Sequence, residues 1–416
     1  MHFTSGVVAG LGLAGLVSAT PCGVGGVSPI KKIDLGPRPF FLVDDMDEGP
    51  LKKKLNSCKE MDMKASDFSI GHRGGGTLLI PEHSKESNLA GARMGAAVLE
   101  CDVAFTKDRE LVCRHAQCDL HTTTNIVAIP ELNAKCTKPF EPASDGTDAS
   151  AKCCTSDLTV KEFKTLCGKM DSFNASATTP EDFLGGGPDW RTELYATCGE
   201  VMTHMEHIAL VEGLGLLYTP ELKTPEVEMP FEGDYTQEMY AQQMVDDYKK
   251  ADIDPSRVWI QSFLYDDILY WLEKEPEFAK QAVYLDENGD TPETFEYAVG
   301  NLTRYKEDGV KIVAPPFNYL LTVEDGEIVP SSYAIKAKEL DLEIITWSLE
   351  RSGPLADVEE NEDYYYGTFA EAVKKDGDMY KVVDILVQEV GISKLFSDWS
   401  ATVTFYANCF GLGLRD

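Results

Sequence analysis

Ala97-Val98-Leu99-Glu100-Cys101-Asp102-Val103-Ala104-Phe105 is the stretch on which the reading of this chain turns. Apolar flanks mark a buried strand, and residues two apart on a strand share a face. Glu100 and Asp102 therefore point the same way. Two carboxylates side by side on an inward face repel one another unless a cation lies between them or one is protonated. The pattern favours an oxygen-ligated divalent metal. A solvent-facing edge strand would also accommodate the acids, but not the apolar flanks.

Short β-rich runs of the same kind recur on either side: Phe68 to His72, Leu217 to Leu222, Val258 to Phe263, Ala282 to Leu285, Lys311 to Ala314, Leu342 to Trp347 and Leu395 to Asp398. Amphipathic stretches between them, such as Tyr235 to Lys250 and Tyr333 to Leu340, predict helices. Alternating strands and helices imply parallel βαβ units. Eight such units close most naturally into an α/β fold, the (β/α)8 TIM barrel. The barrel is expected over 66–416, after an N-terminal extension at 20–65. Between 105 and 217 the rhythm breaks. That interval holds Pro180, Gly185-Gly186-Gly187-Pro188 and many Ser, Thr and Asp residues. A structureless loop of such length is uncommon in a compact domain. We therefore read a disulfide-rich insertion after the second strand, at about 117–215.

The N-terminus and the cysteines indicate the compartment. Gly6 to Val17 is an uncharged apolar run ending in Val17-Ser18-Ala19, the small residues a signal peptidase reads. It is shorter than the roughly 20 residues a membrane-spanning helix needs. A signal peptide at 1–19 and a secreted, extracellular protein with no stable membrane anchor are expected. Of the eleven cysteines, eight lie between 101 and 198, without CxxC pairs that would suggest zinc. In an oxidising compartment they form a disulfide framework. The count is odd, and Cys101, mid-strand in apolar packing, is the expected unpaired thiol. The sequons Asn174-Ala175-Ser176 and Asn301-Leu302-Thr303 fit a secreted glycoprotein. A net charge of −32 argues against nucleic acid or an anionic membrane as partner. Nothing in the sequence fixes an oligomeric state.

Three further clusters sit at strand ends, where a barrel keeps its active site. Gly71-His72-Arg73-Gly74-Gly75-Gly76 leaves the first strand, with glycines that allow a sharp turn beside a proton carrier and an anion clamp. Leu111-Val112-Cys113-Arg114-His115 is a short strand delivering a second histidine. Glu221-Leu222-Lys223 ends another apolar run and offers a third carboxylate beside a fixed positive charge.

Taken with Pro81-Glu82, Gln261-Ser262-Phe263, Thr346-Trp347 and Phe396-Ser397-Asp398-Trp399-Ser400, these clusters resemble the glycerophosphodiester phosphodiesterases over roughly 68–400. The long insertion is similar to that of the family's secreted and periplasmic members. The resemblance implies hydrolysis of small-molecule glycerophosphodiesters, such as glycerophosphocholine, to glycerol 3-phosphate and an alcohol. It implies a divalent metal, Ca2+ or Mg2+, held by Glu100, Asp102 and Glu221. His72 and His115 would be the acid–base pair, in an order the sequence leaves open. Arg73 and Lys223 would bind the substrate phosphate, Glu82 would hold Arg73, and Trp347 would wall the glycerol moiety. The attacking group in the family is the neighbouring glycerol hydroxyl, which gives a cyclic phosphate that water opens.

Two departures stand out. His83-Ser84 replaces the Asn-Thr that usually follows Pro-Glu, and Trp399-Ser400 replaces a common Tyr-Pro. Neither removes a proposed ligand or acid–base residue, though both bear on substrate range. Two alternatives share the constellation: a phospholipase D or sphingomyelinase D-like enzyme acting on (lyso)phospholipids, and a catalytically inactive wall or binding protein on the same fold.

Overall fold

The computed structural model describes residues 27–195 and 198–415. All eight predicted runs contain strands: β1 (Ser66–Gly71), β2 (Ala96–Phe105), β3 (Leu217–Leu222), β4 (Gln261–Ser262), β5 (Val283–Leu285), β6 (Ile312–Ala314), β7 (Glu343–Leu349) and β8 (Lys394–Ser397). Each pairs in parallel with its sequence neighbours, and β1 pairs with β8, so the sheet closes on itself. This is the (β/α)8 barrel expected from the alternation.

The period-two pattern sorts side chains between two cores. Ile70, Val98, Leu217, Val283, Ile345 and Phe396 belong to an apolar cluster inside the barrel. The intervening Leu99, Cys101 and Val103 of β2 join the larger core between sheet and helices. Following the inward register toward the C-terminal strand ends places His72 above Ile70, and Glu100 and Asp102 above Val98. The same count places Glu221 above Leu217, Trp347 above Ile345 and Asp398 above Phe396. The alternation that builds the core therefore aims the polar residues into the barrel mouth.

Helix boundaries follow local chemistry. The helix Gln237–Lys250 starts after Thr236, whose hydroxyl accepts from the Met239 N–H at 3.2 Å. Such a cap is worth about 1 kcal/mol. Tyr235, ahead of the cap, packs its ring 5.2 Å from Phe105 instead. The helix Ser332–Glu339 starts in the same way after Ser331.

Between β2 and β3 the chain builds a second apolar core, separate from the barrel's, around Leu120, Ile126, Phe163 and Phe183. Cys118–Cys154, Cys136–Cys153 and Cys167–Cys198 pin it. A two-stranded antiparallel pair, Lys138–Glu141 with Ser150–Lys152, lies within it.

One expectation is corrected. Cys101 is not the unpaired thiol, because it is bonded to Cys113. The strand Leu111–Cys113 returns antiparallel along β2 with Val103 opposite Cys113, leaving the two cysteine Cα atoms 5.2 Å apart. Cys101 is buried in apolar packing as the alternation required, but that packing includes the other sulfur. All ten described cysteines are paired, and Cys22 lies outside the described residues, as does the expected signal peptide at 1–19. The fifth bond, Cys58–Cys409, joins the segment before β1 to the last helix, Ser400–Phe410.

Candidate active site

Gly71 ends β1, and one tight turn, His72–Gly74, follows. Gly75 has φ 89°, and a Cβ there would lie 2.3 Å from Ser400 Oγ and 2.7 Å from Gly71 Cα. Only glycine fits this turn. Arg73 is itself left-handed at φ 51°, a cost of about 1–3 kcal/mol for a residue with a side chain. Its carbonyl is gripped by the His83 N–H at 2.9 Å and the Ser87 hydroxyl at 3.2 Å.

The turn fixes both functional groups. His72 Nδ1 is 2.5 Å from Asp398 Oδ1 and 2.8 Å from Ser348 Oγ. With Nδ1 engaged, Nε2 is left toward the cavity, 4.0 Å from Glu100 Oε2. Burial lowers the His72 pKa, and Asp398 pulls against it. Arg73 Nη1 donates to Glu82 Oε2 at 2.7 Å, while its backbone N–H donates to Glu100 Oε2 at 2.7 Å. Burial alone would raise Glu82, but the Arg73 guanidinium outweighs it and holds the carboxyl down to about 2.

β2 and β3 run side by side with Asp102 opposite Glu221, bringing three acids together. Glu100, Asp102 and Glu221 each offer an oxygen within 4.8 Å of the others. All three are buried. Burial, reinforced by Asp102 and Glu221, pushes Glu100 well above the usual carboxylate range. Glu221 is pushed up to about 8 by burial, with Lys223 opposing and Asp102 adding to the rise. Gln261 Nε2 donates to Glu100 Oε1 at 2.9 Å, and His83 Nε2 lies 2.9 Å from Asp102 Oδ2. Asp102 Oδ1 is buried with no hydrogen-bond partner. A divalent cation would satisfy that orphaned oxygen and relieve the repulsion, so the donor set fits an oxygen-ligated ion.

His115 arrives by a different route. After Leu111–Cys113, the Arg114 N–H donates to the Asp102 carbonyl at 2.7 Å, extending the ladder along β2. The fully buried Arg114 side chain donates to the Glu82 carbonyl at 2.6 Å and the Thr123 hydroxyl at 3.2 Å. His115 then turns into the cavity. Burial holds its pKa well below the usual imidazole value, and Arg73 and Lys223 add to the effect. Lys223 Nζ sits 2.5 Å from Glu221 Oε1 and 5.5 Å from the Phe263 ring centroid.

These groups open into one cavity of about 490 Å³. His72, Arg73, Glu100, His115, Glu221, Lys223 and Trp347 line it, with Asp102 and Glu82 buried behind. All nine side chains singled out in the sequence thus converge on one place. Trp347 Nε1 donates to the Ala314 carbonyl at 2.8 Å, and its ring is 5.8 Å from Phe263. Sequence reasoning missed the partners. Asp398 and Gln261 stand in recognisable motifs that do not reveal their contacts, and His83 stands out in the sequence only as a departure. Ser348 and Arg351, whose Nη1 donates to Asp398 Oδ2 at 2.9 Å, carried no signal.

Comparison with known proteins adds the lineage. The model of the glycerophosphoryl diester phosphodiesterase family matches residues 72–302, more than half of the chain and including the first turn, both histidines and all three acids. The chain belongs to this family. It is accordingly an enzyme of the phosphoric diester hydrolase class. An "Extracellular protein" of Arthroderma benhamiae is 50% identical over 245 residues, covering 58% of this chain and 100% of that relative. Among solved structures, a Silicibacter pomeroyi protein assigned by name to the glycerophosphoryl diester phosphodiesterases shares the fold, with a TM-score of 0.54 at 17% identity. That match covers 87% of this chain and 98% of the other. Among the described residues no helix is long and apolar enough to cross a membrane.

Proposed function

We propose that this family member hydrolyses glycerophosphodiesters, such as glycerophosphocholine, to glycerol 3-phosphate and an alcohol, outside the cell, using one divalent metal and two histidines. The observation that carries the reading is the convergence of His72, His115, three buried carboxylates and two cations on one cavity at the C-terminal mouth of the barrel. A complete set in complementary positions favours an enzyme over a binding protein.

Glu100, Asp102 and Glu221 would hold the metal, and oxygen-only ligation suits Ca2+ or Mg2+. When bound, the ion supplies charge neutralisation for the phosphodiester oxygens. Arg73 and Lys223 flank the same place as fixed cations, each tethered by a carboxylate that prevents it from swinging away. His72 presents Nε2 with its ring oriented by Asp398 and Ser348. His115 makes no hydrogen bond to another described residue, so its ring is available to substrate. One of the two withdraws a proton from the attacking hydroxyl, and the other donates one to the departing alcohol oxygen. Trp347 walls the glycerol moiety. The apolar leader at 1–19 and the extracellular relative support export.

The test is a hydrolysis assay. Purified protein should release glycerol 3-phosphate from glycerophosphocholine, and a chelator should abolish release until Ca2+ or Mg2+ is restored. His72→Ala and His115→Ala should each lower kcat by about 10²–10⁴-fold. Near-native turnover in both variants would overturn the two-histidine mechanism. Faster cleavage of lysophosphatidylcholine than of glycerophosphocholine would favour the phospholipase D-like alternative.

A further inference from the structure

The cavity is electrically divided. Its cations, Arg73 and Lys223, and the acids proposed to hold the metal stand at the ends of β1, β2 and β3. The opposite wall, formed by β7 and the segments after β5 and β7, contains Glu287, Asp290, Trp347, Tyr364 and Tyr365, with no lysine or arginine among the described lining residues of that wall. Glu287 makes no hydrogen bond or ion pair with another described residue. Burial still raises its pKa, and the nearby Asp290 adds to the rise. Asp290 is held at the rim by the Tyr319 hydroxyl at 2.7 Å and the Tyr364 hydroxyl at 3.1 Å, both on Oδ1.

The rings next to these acids form a corner. Trp347 and Tyr364 lie near-parallel at 24°, with centroids 6.5 Å apart. Tyr365 stands across both, at 83° to Trp347 and 80° to Tyr364. Tyr364 keeps 41% of its surface exposed, so this is not ordinary core packing. Aromatic faces in two orientations beside two carboxylates that form no ion pair with a described residue attract a compact organic cation, by ring quadrupoles and charge together. An anionic headgroup would meet repulsion there, and a neutral one would gain neither attraction.

We infer that this wall is a headgroup subsite that selects diesters carrying a positively charged alcohol, quaternary ammonium or primary amine, over those with neutral or anionic alcohols. The inference rests on the phosphodiesterase reading above and deepens it. The phosphate lies with the cations and the metal-binding acids, and the positive end of a zwitterionic substrate lies against Glu287, Tyr364 and Tyr365, leaving Trp347 to the glycerol moiety.

The experiment compares kcat/KM for glycerophosphocholine, glycerophosphoethanolamine and glycerophosphoglycerol at fixed ionic strength. The two cationic headgroups should be preferred by about tenfold. Glu287→Gln and Tyr364→Ala should each lower that preference at least about threefold, chiefly through KM, because the catalytic groups stand on the other wall. Tetramethylammonium chloride should inhibit competitively where equimolar sodium chloride does not. Equal kcat/KM for all three diesters, or an unchanged preference in both variants, overturns the inference and leaves the phosphodiesterase reading standing. No hydrolysis of any of the three overturns both.

Discussion

His72 is held from behind, and that arrangement sets how much a single atom matters here. Asp398 and Ser348 both reach Nδ1, at 2.5 and 2.8 Å, which fixes the ring angle and leaves Nε2 for chemistry. Asp398→Asn keeps the shape but alters which nitrogen holds the proton. It should lower kcat by about 10²–10⁴-fold, the range of a general acid–base contribution, with little change in the far-ultraviolet circular dichroism spectrum. An unchanged kcat would remove Asp398 from the mechanism. His83 makes a comparable contact with Asp102 Oδ2 at 2.9 Å. Supporting residues of this kind typically alter metal affinity 10–100-fold, so His83→Ala should weaken Ca2+ or Mg2+ binding by at least about tenfold in calorimetry. His72 and the acids were legible in the sequence because turn glycines and strand alternation announce them. Asp398 and His83 as partners were not: the His72–Asp398 contact is made by closure of the barrel across 326 positions, and the His83–Asp102 contact, across 19 positions, by a side chain from the loop after β1 reaching β2.

At the level of elements, β2 and β3 bring like charges into register. Asp102 faces Glu221 across the pair, and Glu100 follows on the same side of β2. With no cation bound, Glu221 folds with its pKa raised from 4.5 to about 8. A carboxyl raised on folding stabilises fully below its unfolded pKa and loses that contribution as pH climbs through the folded value. The metal-free protein should therefore lose stability between about pH 4.5 and 8. Glu221→Gln should flatten that slope and erase the rise in Tm expected when Ca2+ or Mg2+ is added to the native protein. Thermal melts with and without chelator at pH 5 and pH 8 would decide it. The eight barrel strands were legible because each is a short apolar run with its own boundary signals. The partner of Cys101 was not. Apolar flanks describe equally well a sulfur packed among side chains and one bonded to a neighbouring strand, and only the antiparallel return of Leu111–Cys113 separates the two.

Over the whole molecule, stability is shared between a barrel core and cross-links that hold what the barrel cannot. The insertion has a small core of its own, and three disulfides restrict it to one arrangement. Cys58–Cys409 spans 351 positions, and a loop that long loses much chain entropy when closed. Replacing both cysteines with serine should cost about 2–5 kcal/mol, measured as a lower denaturant midpoint. An unchanged midpoint would mean the last helix is held by packing alone. The net charge of −32 adds self-repulsion that salt screens.

The Cys58–Cys409 bond also makes most of the chain a covalent ring. A single proteolytic nick anywhere between those two residues releases no fragment. The cut molecule keeps both halves of its barrel in one covalent piece, migrates as one species until reduced, and then separates into two. For an enzyme exported as proposed, among extracellular proteases, that closure would turn a severed loop from a loss of the catalyst into a tolerable scar.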